Sequence, residues 1–117
     1  MRYHALMDGT QWAQSAMIAA RTRLEIATEN LANVSTEGFR RISARGFLTS
    51  LGVTIARERD RAVPDRALAG LHVSNGVDAI AEMIHVMEAE RSFESAQKAV
   101  TAIDLAHQKS AEAARIQ

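Results

Sequence analysis

The sequence predicts a mainly α protein: two long terminal helices packed as a coiled-coil-like hairpin, with a short β-hairpin or irregular segment between them. Three observations carry this. A run near the N-terminus repeats apolar and small residues in strict four-three alternation. The stretch from Val77 to the end contains no Gly or Pro. Between the two, turn-forming residues flank the β-favouring hexapeptide LGVTIA.

The first helix is read from Leu6, Thr10, Ala13, Met17, Ala20, Leu24, Ala27, Leu31 and Val34, with Thr10 in the single polar slot. This is the spacing of a coiled-coil seam. It fits a helix packed inside a bundle as well as one that associates with copies of itself. The helix should end near Asn33, because Ser35, Thr36 and Gly38 follow, and Gly tolerates the left-handed backbone that a helix exit often needs. From Phe47 to Ala56, LGVTIA with Gly46, Gly52 and Pro64 around it suggests one or two short strands or a hairpin. The following RERDRAVPDRALAG is polar and without helical period, and reads as a mobile segment.

The second helix should run from Asn75 or Gly76 to near Arg115, with Asn75 as N-cap and Asp78 answering it as in a capping box. It carries two apolar stripes. One is Val77, Ile80, Ile84 and Met87; the other is Val86, Ala89, Phe93, Ala96, Val100 and Ile103. Such a helix wants neighbours on two sides. At ~1.5 Å per residue the two helices span about 45 and 58 Å, so a simple hairpin leaves roughly two turns of the longer one unmatched. The chain divides into a helix over 1–39, an Arg-rich connector over 40–73 and a helix over 74–117, in one domain.

Composition narrows the function classes. Among 117 residues there are three Phe, one Trp and one Tyr, and much of the 47% hydrophobic share is Ala, so the core is thin and the isolated chain is expected to gain order on assembly. There is no Cys, hence no disulfide and no thiolate chemistry. No stretch approaches the ~20 apolar residues of a membrane span, and the N-terminus lacks the apolar run of a cleavable secretory signal. The formal net charge is zero. Residues 40–66 nevertheless carry Arg at 40, 41, 45, 57, 59, 61 and 66, while residues 77–117 are acidic on balance. That split favours association between like subunits. It argues against nucleic acid, since no aromatic interleaving or binding motif accompanies the arginines.

Two stretches resemble the terminal signatures of the flagellar rod and hook axial proteins. LEIATENLANVSTEGFRR is similar to the N-terminal one through Asn30, Leu31, Ala32, Asn33, Val34, Thr36, Gly38 and Phe39. SNGVDAIAEMIHVMEAERSFESAQKAVTAIDLA is similar to the C-terminal one through Ser74, Asn75, Val77, Asp78, Glu82, Met83, Arg91, Phe93, Glu94 and Asp104. Gly76 is an insertion within that pattern, and Glu29 replaces a second Asn. The connector is also short beside the large β-rich domains that distal members carry there.

The resemblance implies a subunit of the basal-body rod, in a helical array whose inner layer of terminal helices surrounds an export channel. Its partners would be copies of itself, other axial proteins, the surrounding ring proteins and the type III export apparatus. It would leave the cell without a cleaved signal. Phe47 to Leu51 (FLTSL) fits the short Phe-x-x-x-apolar element of export substrates, although the start of a buried strand is the favoured reading. On this view the subunit interface is formed by Met17, Leu24, Asn30, Leu31, Asn33, Val34, Thr36, Gly38, Phe39, Ile80, Met83, Ile84, Met87, Arg91, Phe93, Val100, Ile103 and Asp104. Asn33 would cap the helix, and Asn30 would bond across subunits to fix register, as a polar seam residue does. A helical adaptor that binds one partner and forms no filament is the alternative.

Catalytic and metal chemistry find little support. Glu82-x-x-His85 and Asp104-x-x-His107 have the spacing of di-iron ligand pairs. They lie about 33 Å apart along one helix, so they read as exposed polar residues. No nucleophile elbow or phosphate loop is present. No cofactor is expected, and the protein is not expected to be an enzyme.

Overall fold

The computed structural model describes residues 9–62 and 75–116. Two helices, α1 (Gly9–Ala32) and α2 (Ala79–Ile116), lie side by side, and between them in the chain stands an antiparallel hairpin of β1 (Ile42–Thr49) and β2 (Gly52–Arg59). The expectations that involve Leu6, Pro64, Arg66 and Ser74 lie outside the described residues.

α1 is a 24-residue run whose only Gly is its first residue. Its exit is closed by local hydrogen bonds. Asn33 and Val34 donate their N–H groups to the carbonyls of Asn30 and Leu31, tightening the last turn, and the Asn33 amide reaches back to the Glu29 carbonyl at 2.8 Å. The capping expected of Asn33 is therefore present. Phe39 N–H then donates to Thr36 C=O, closing a four-residue turn in which Gly38 takes φ +76°. A side chain at that φ would be strained, which is the physical reason for Gly in the Thr-x-Gly-aromatic run.

The hairpin is longer than LGVTIA suggested. β1 begins at Ile42, and β2 continues through Arg57, Glu58 and Arg59, so the first residues of the supposedly mobile segment are strand. Cross-strand pairing explains this. Arg45 faces Glu58 across the hairpin's outer side at 3.3 Å, and Arg57 reaches Glu29 and Glu25 of α1 at 3.1 and 3.4 Å. Thr49 and Gly52 close a two-residue loop whose tip is held by the Thr49 hydroxyl, which donates to Gly52 C=O and accepts from Leu51 N–H.

α2 starts at Ala79 and not at Asn75. Its N-cap is Asp78, whose carboxylate accepts from Ile80 and Ala81 N–H. Asn75 serves the other helix: its amide donates to the carbonyls of Asn33 and Thr36 at 2.8 and 2.7 Å, while its oxygen accepts from Val77 N–H. A single buried amide thus ties the start of the C-terminal arm to the end of α1.

The helices run antiparallel, since Asn30 meets Glu82 near one end and Gly9 lies against Ile103 near the other. Their interface is built from small residues. Ala13, Ala20 and Ala27 of the predicted seam are buried, as are Ala19 and Ile26 beside it; Met17, Leu24, Leu31 and Val34 are only half-buried. α2 answers with Glu82, Val86, Ala89, Phe93, Ala96, Val100 and Ile103, a continuous four-three alternation. From Asp104 to Ile116 every residue is exposed, about 20 Å of helix and more than the two turns anticipated. The molecule measures 74 × 27 × 15 Å with a radius of gyration of 20.0 Å, against about 13 Å for a compact chain of this length.

Ala27, 2% exposed where the helices approach, leaves no room for a larger side chain. Ala27→Leu is expected to lower stability by about 1–3 kcal/mol. Urea denaturation followed by circular dichroism measures this, and an unchanged midpoint would show that the seam is loosely packed.

Candidate subunit interface

Among the described residues, the most enclosed polar groups meet where α1, the root of the hairpin and α2 come together. Asn30 is 0% and Glu82 1% exposed. The Asn30 oxygen accepts from Ile42 N–H and its nitrogen donates to Ile42 C=O, both at 2.8 Å, and the same nitrogen lies 3.4 Å from Glu82 Oε2. Arg41 Nε donates to the other Glu82 oxygen at 2.5 Å. Arg41 also donates to Ser43 Oγ, which in turn donates to Asp60, and Asp60 N–H closes the set on Arg41 C=O. Four segments are joined by one network in which the buried carboxylate has both a cation and an amide donor, the condition under which a buried charge is tolerable.

Asn30 therefore bonds within the chain, and the expected bond across subunits is replaced by this one. Glu82 also departs from expectation, because it is buried in the helix seam and is not an exposed partner of His85. Among the described residues no group of three His, Asp or Glu side chains converges as metal ligands would. Arg40, Arg45, Arg57 and Arg59 are likewise engaged at home. Arg57 pairs with Glu25 and Glu29, Arg45 with Glu58, Arg40 donates to Asp60 C=O, and Arg59 lies over Phe39 while donating to Arg40 C=O.

The remaining predicted interface residues fall into two groups. Phe93, Val100 and Ile103 are half-buried in the α1–α2 seam, and Phe39 is half-buried beneath Arg59. Thr36, Gly38, Arg91 and Asp104 are exposed. Of the other predicted stripe Val77 is buried, whereas Ile80 (70%), Ile84 (48%) and Met87 (55%) are open to solvent, together with Met83 (51%) between them. These four exposed residues occur at the i, i+3, i+4, i+7 positions of one helical face, turned away from the seam that buries Glu82 and Ala89. Together they form a contiguous exposed apolar strip along α2. The tip of the hairpin adds Phe47, Leu48 and Leu51, also exposed, so Phe47 does not begin a buried strand.

Sequence reasoning missed Glu82, Arg41 and Asn75 as a set. The signal for Glu82 was available: it continues the 86-89-93-96-100-103 alternation one step toward the N-terminus and so sits at a seam position. Arg41 and Asn75 had no such signal, because their partners are distant in the chain.

Comparison with known protein families identifies both ends of the chain. Residues 11–40 match the family model described as flagella basal body rod protein, and residues 74–112 match that described as flagellar basal body rod FlgEFG protein C-terminal. Together they cover more than half of the chain and include Asn30, Asn33, Asn75 and Glu82. No curated protein matches the chain.

Replacing Glu82 by Ala removes the carboxylate that Arg41 Nε and the Asn30 amide share in the seam, leaving Arg41 only its more exposed partners Ser43 and Asp60. The expected loss of stability is about 3 kcal/mol. Urea denaturation of Glu82→Ala against the parent tests it, and a cost below about 1 kcal/mol would mean that solvent readily replaces the carboxylate.

Proposed function

The chain belongs to the flagellar basal-body rod protein family, and from that premise we propose that it polymerises through its helices into the axial tube that transmits torque and surrounds the export channel. At the coarser level, members of this family are structural proteins of the basal-body rod, and this chain is one such component. No helix among the described residues is long and apolar enough to cross a membrane.

The observation that carries the finer reading is the double-sided nature of α2. One face is consumed by α1, and the other leaves Ile80, Met83, Ile84 and Met87 exposed. An adaptor for a single partner needs one apolar face per helix, whereas a subunit inside an array is covered on several. The uncovered end of α2, Asp104 to Ile116, supports the same reading, because an isolated helix of that length is marginal in water. Contacts that differ on the two sides of a subunit, and so do not close, generate a filament. The partners are then further copies and other rod proteins, with surrounding ring proteins outside them. Delivery falls to the flagellar type III apparatus, for which Phe47 and Leu51 at the exposed hairpin tip are the candidate element.

Size-exclusion chromatography with light scattering, paired with circular dichroism over a concentration series, tests the proposal. The full chain should gain helix as it forms large open-ended species. A compact monomer or closed dimer at every concentration would favour the adaptor. Met83→Asp combined with Met87→Asp should abolish the large species and leave the helix content of the dilute chain unchanged; assembly as in the parent would exclude the strip as a contact.

A further inference from the structure

The outer edge of β1 is only partly satisfied by the fold. Ile42 turns both its N–H and its C=O away from β2, toward the Asn30 amide. A primary amide that accepts and donates side by side imitates one residue of a neighbouring strand. Successive strand residues alternate in direction, so Ala44, Gly46 and Leu48 turn their N–H and C=O groups to that same outer side, while Ser43, Arg45 and Phe47 face β2. Two other bonds fix the same phase. Asp60 N–H meets Arg41 C=O on the inner side, and Val53, the register partner of Leu48, turns its N–H outward to Ser15 Oγ at 3.2 Å.

Among the described residues, no hydrogen bond reaches the outward groups of Ala44, Gly46 or Leu48. Ala44 opens onto a cleft of about 370 Å³ between β1 and α2, whose walls include Arg23, His85 and Glu88. Toward the tip the edge is free, with Gly46 exposed and Leu48 79% exposed. A row of unpaired strand-edge groups is a template for another chain, and a two-stranded hairpin is marginal by itself.

We propose that the edge of β1 from Ala44 to Leu48 is a strand-addition site, filled by the hairpin of a second copy of this chain. The inference rests on the self-association put forward above. Among the described residues β1 and β2 are the only extended segments, so a second copy brings its own hairpin. Pairing β1 with β1 would close a dimer. Pairing β1 with the outward groups of Ile55, Arg57 and Arg59 on the neighbour's β2, beyond Val53 whose N–H is held by Ser15, leaves a free edge at each end and admits the next copy. Charge favours the second arrangement: Glu88 in the cleft wall has no ion-pair partner among the described residues, and the root of β2 carries Arg59 and Arg61.

Amide hydrogen exchange resolved by residue, on the full chain as dilute monomer and as assembly, decides the matter. Ala44, Gly46 and Leu48 should exchange fast in the monomer and at least roughly tenfold slower in the assembly. Arg45 and Phe47, already bonded to β2, serve as the internal reference. Ala44→Pro, which removes an outward N–H and spares the ladder to β2, should weaken assembly with the monomer's helix content retained. Assembly with those three amides still exchanging as in the monomer would overturn strand addition and leave the rod reading standing. Failure to assemble at any concentration would overturn both. Protection that appears only on adding a different rod protein would replace the second copy as occupant.

Discussion

A carboxylate in a helix seam must be given a cation and a donor before the helices can close, and the tertiary structure is organised around how Glu82 obtains them. Arg41 arrives because Asn30 holds the backbone of the next residue, Ile42, at the end of α1. That same hold sets where β1 starts and which way its residues face. Ser43 and Asp60 then bring the end of β2 back to Arg41. Registration of helix on helix, and of hairpin on helices, follows from one set of hydrogen bonds near one end of the molecule. Away from it the helices touch through Ala, which sets distance but adds little apolar burial.

This division of labour accounts for the elongated shape. The polar network gives uniqueness at one end, and the Ala seam lets two cylinders lie close without a thick core. Beside the few large apolar residues of the seam, Ile26, Phe93, Val100 and Ile103, a second set lies outside it, at Ile80, Met83, Ile84 and Met87 and around the hairpin tip. A chain arranged in this way fixes the direction and register of its two helices while leaving a second set of apolar side chains exposed.

Much of the architecture was legible in the amino-acid order. The four-three spacing located α1 and the second stripe of α2, and Gly38 marked the turn after α1, because period and left-handed backbone are local properties. The strand limits were misjudged because Arg57–Arg59 look like loop until Glu25, Glu29 and Glu58 are seen opposite them. Asn75 and Asp78 were both recognised as capping residues, but their assignments were wrong. Which helix end an amide serves depends on a fold-level contact that no local pattern encodes. Asn30 and Glu82 were picked out as polar residues needing explanation or as signature positions, but their mutual contact spans more than fifty residues of chain and had no footprint in spacing.

The two Asn75 bonds to the end of α1, set beside the tie from Asp60 to Arg41, have an evolutionary consequence. The chain leaves the hairpin at a fixed point and rejoins the helices at another, both fastened to the same end of the molecule. Whatever lies between is bracketed by anchors that do not depend on it. Closing a longer loop between fixed ends costs little, about 0.6 kcal/mol for each doubling. The position is therefore a socket: a lineage could lengthen, shorten or exchange the intervening segment without renegotiating the helical pair.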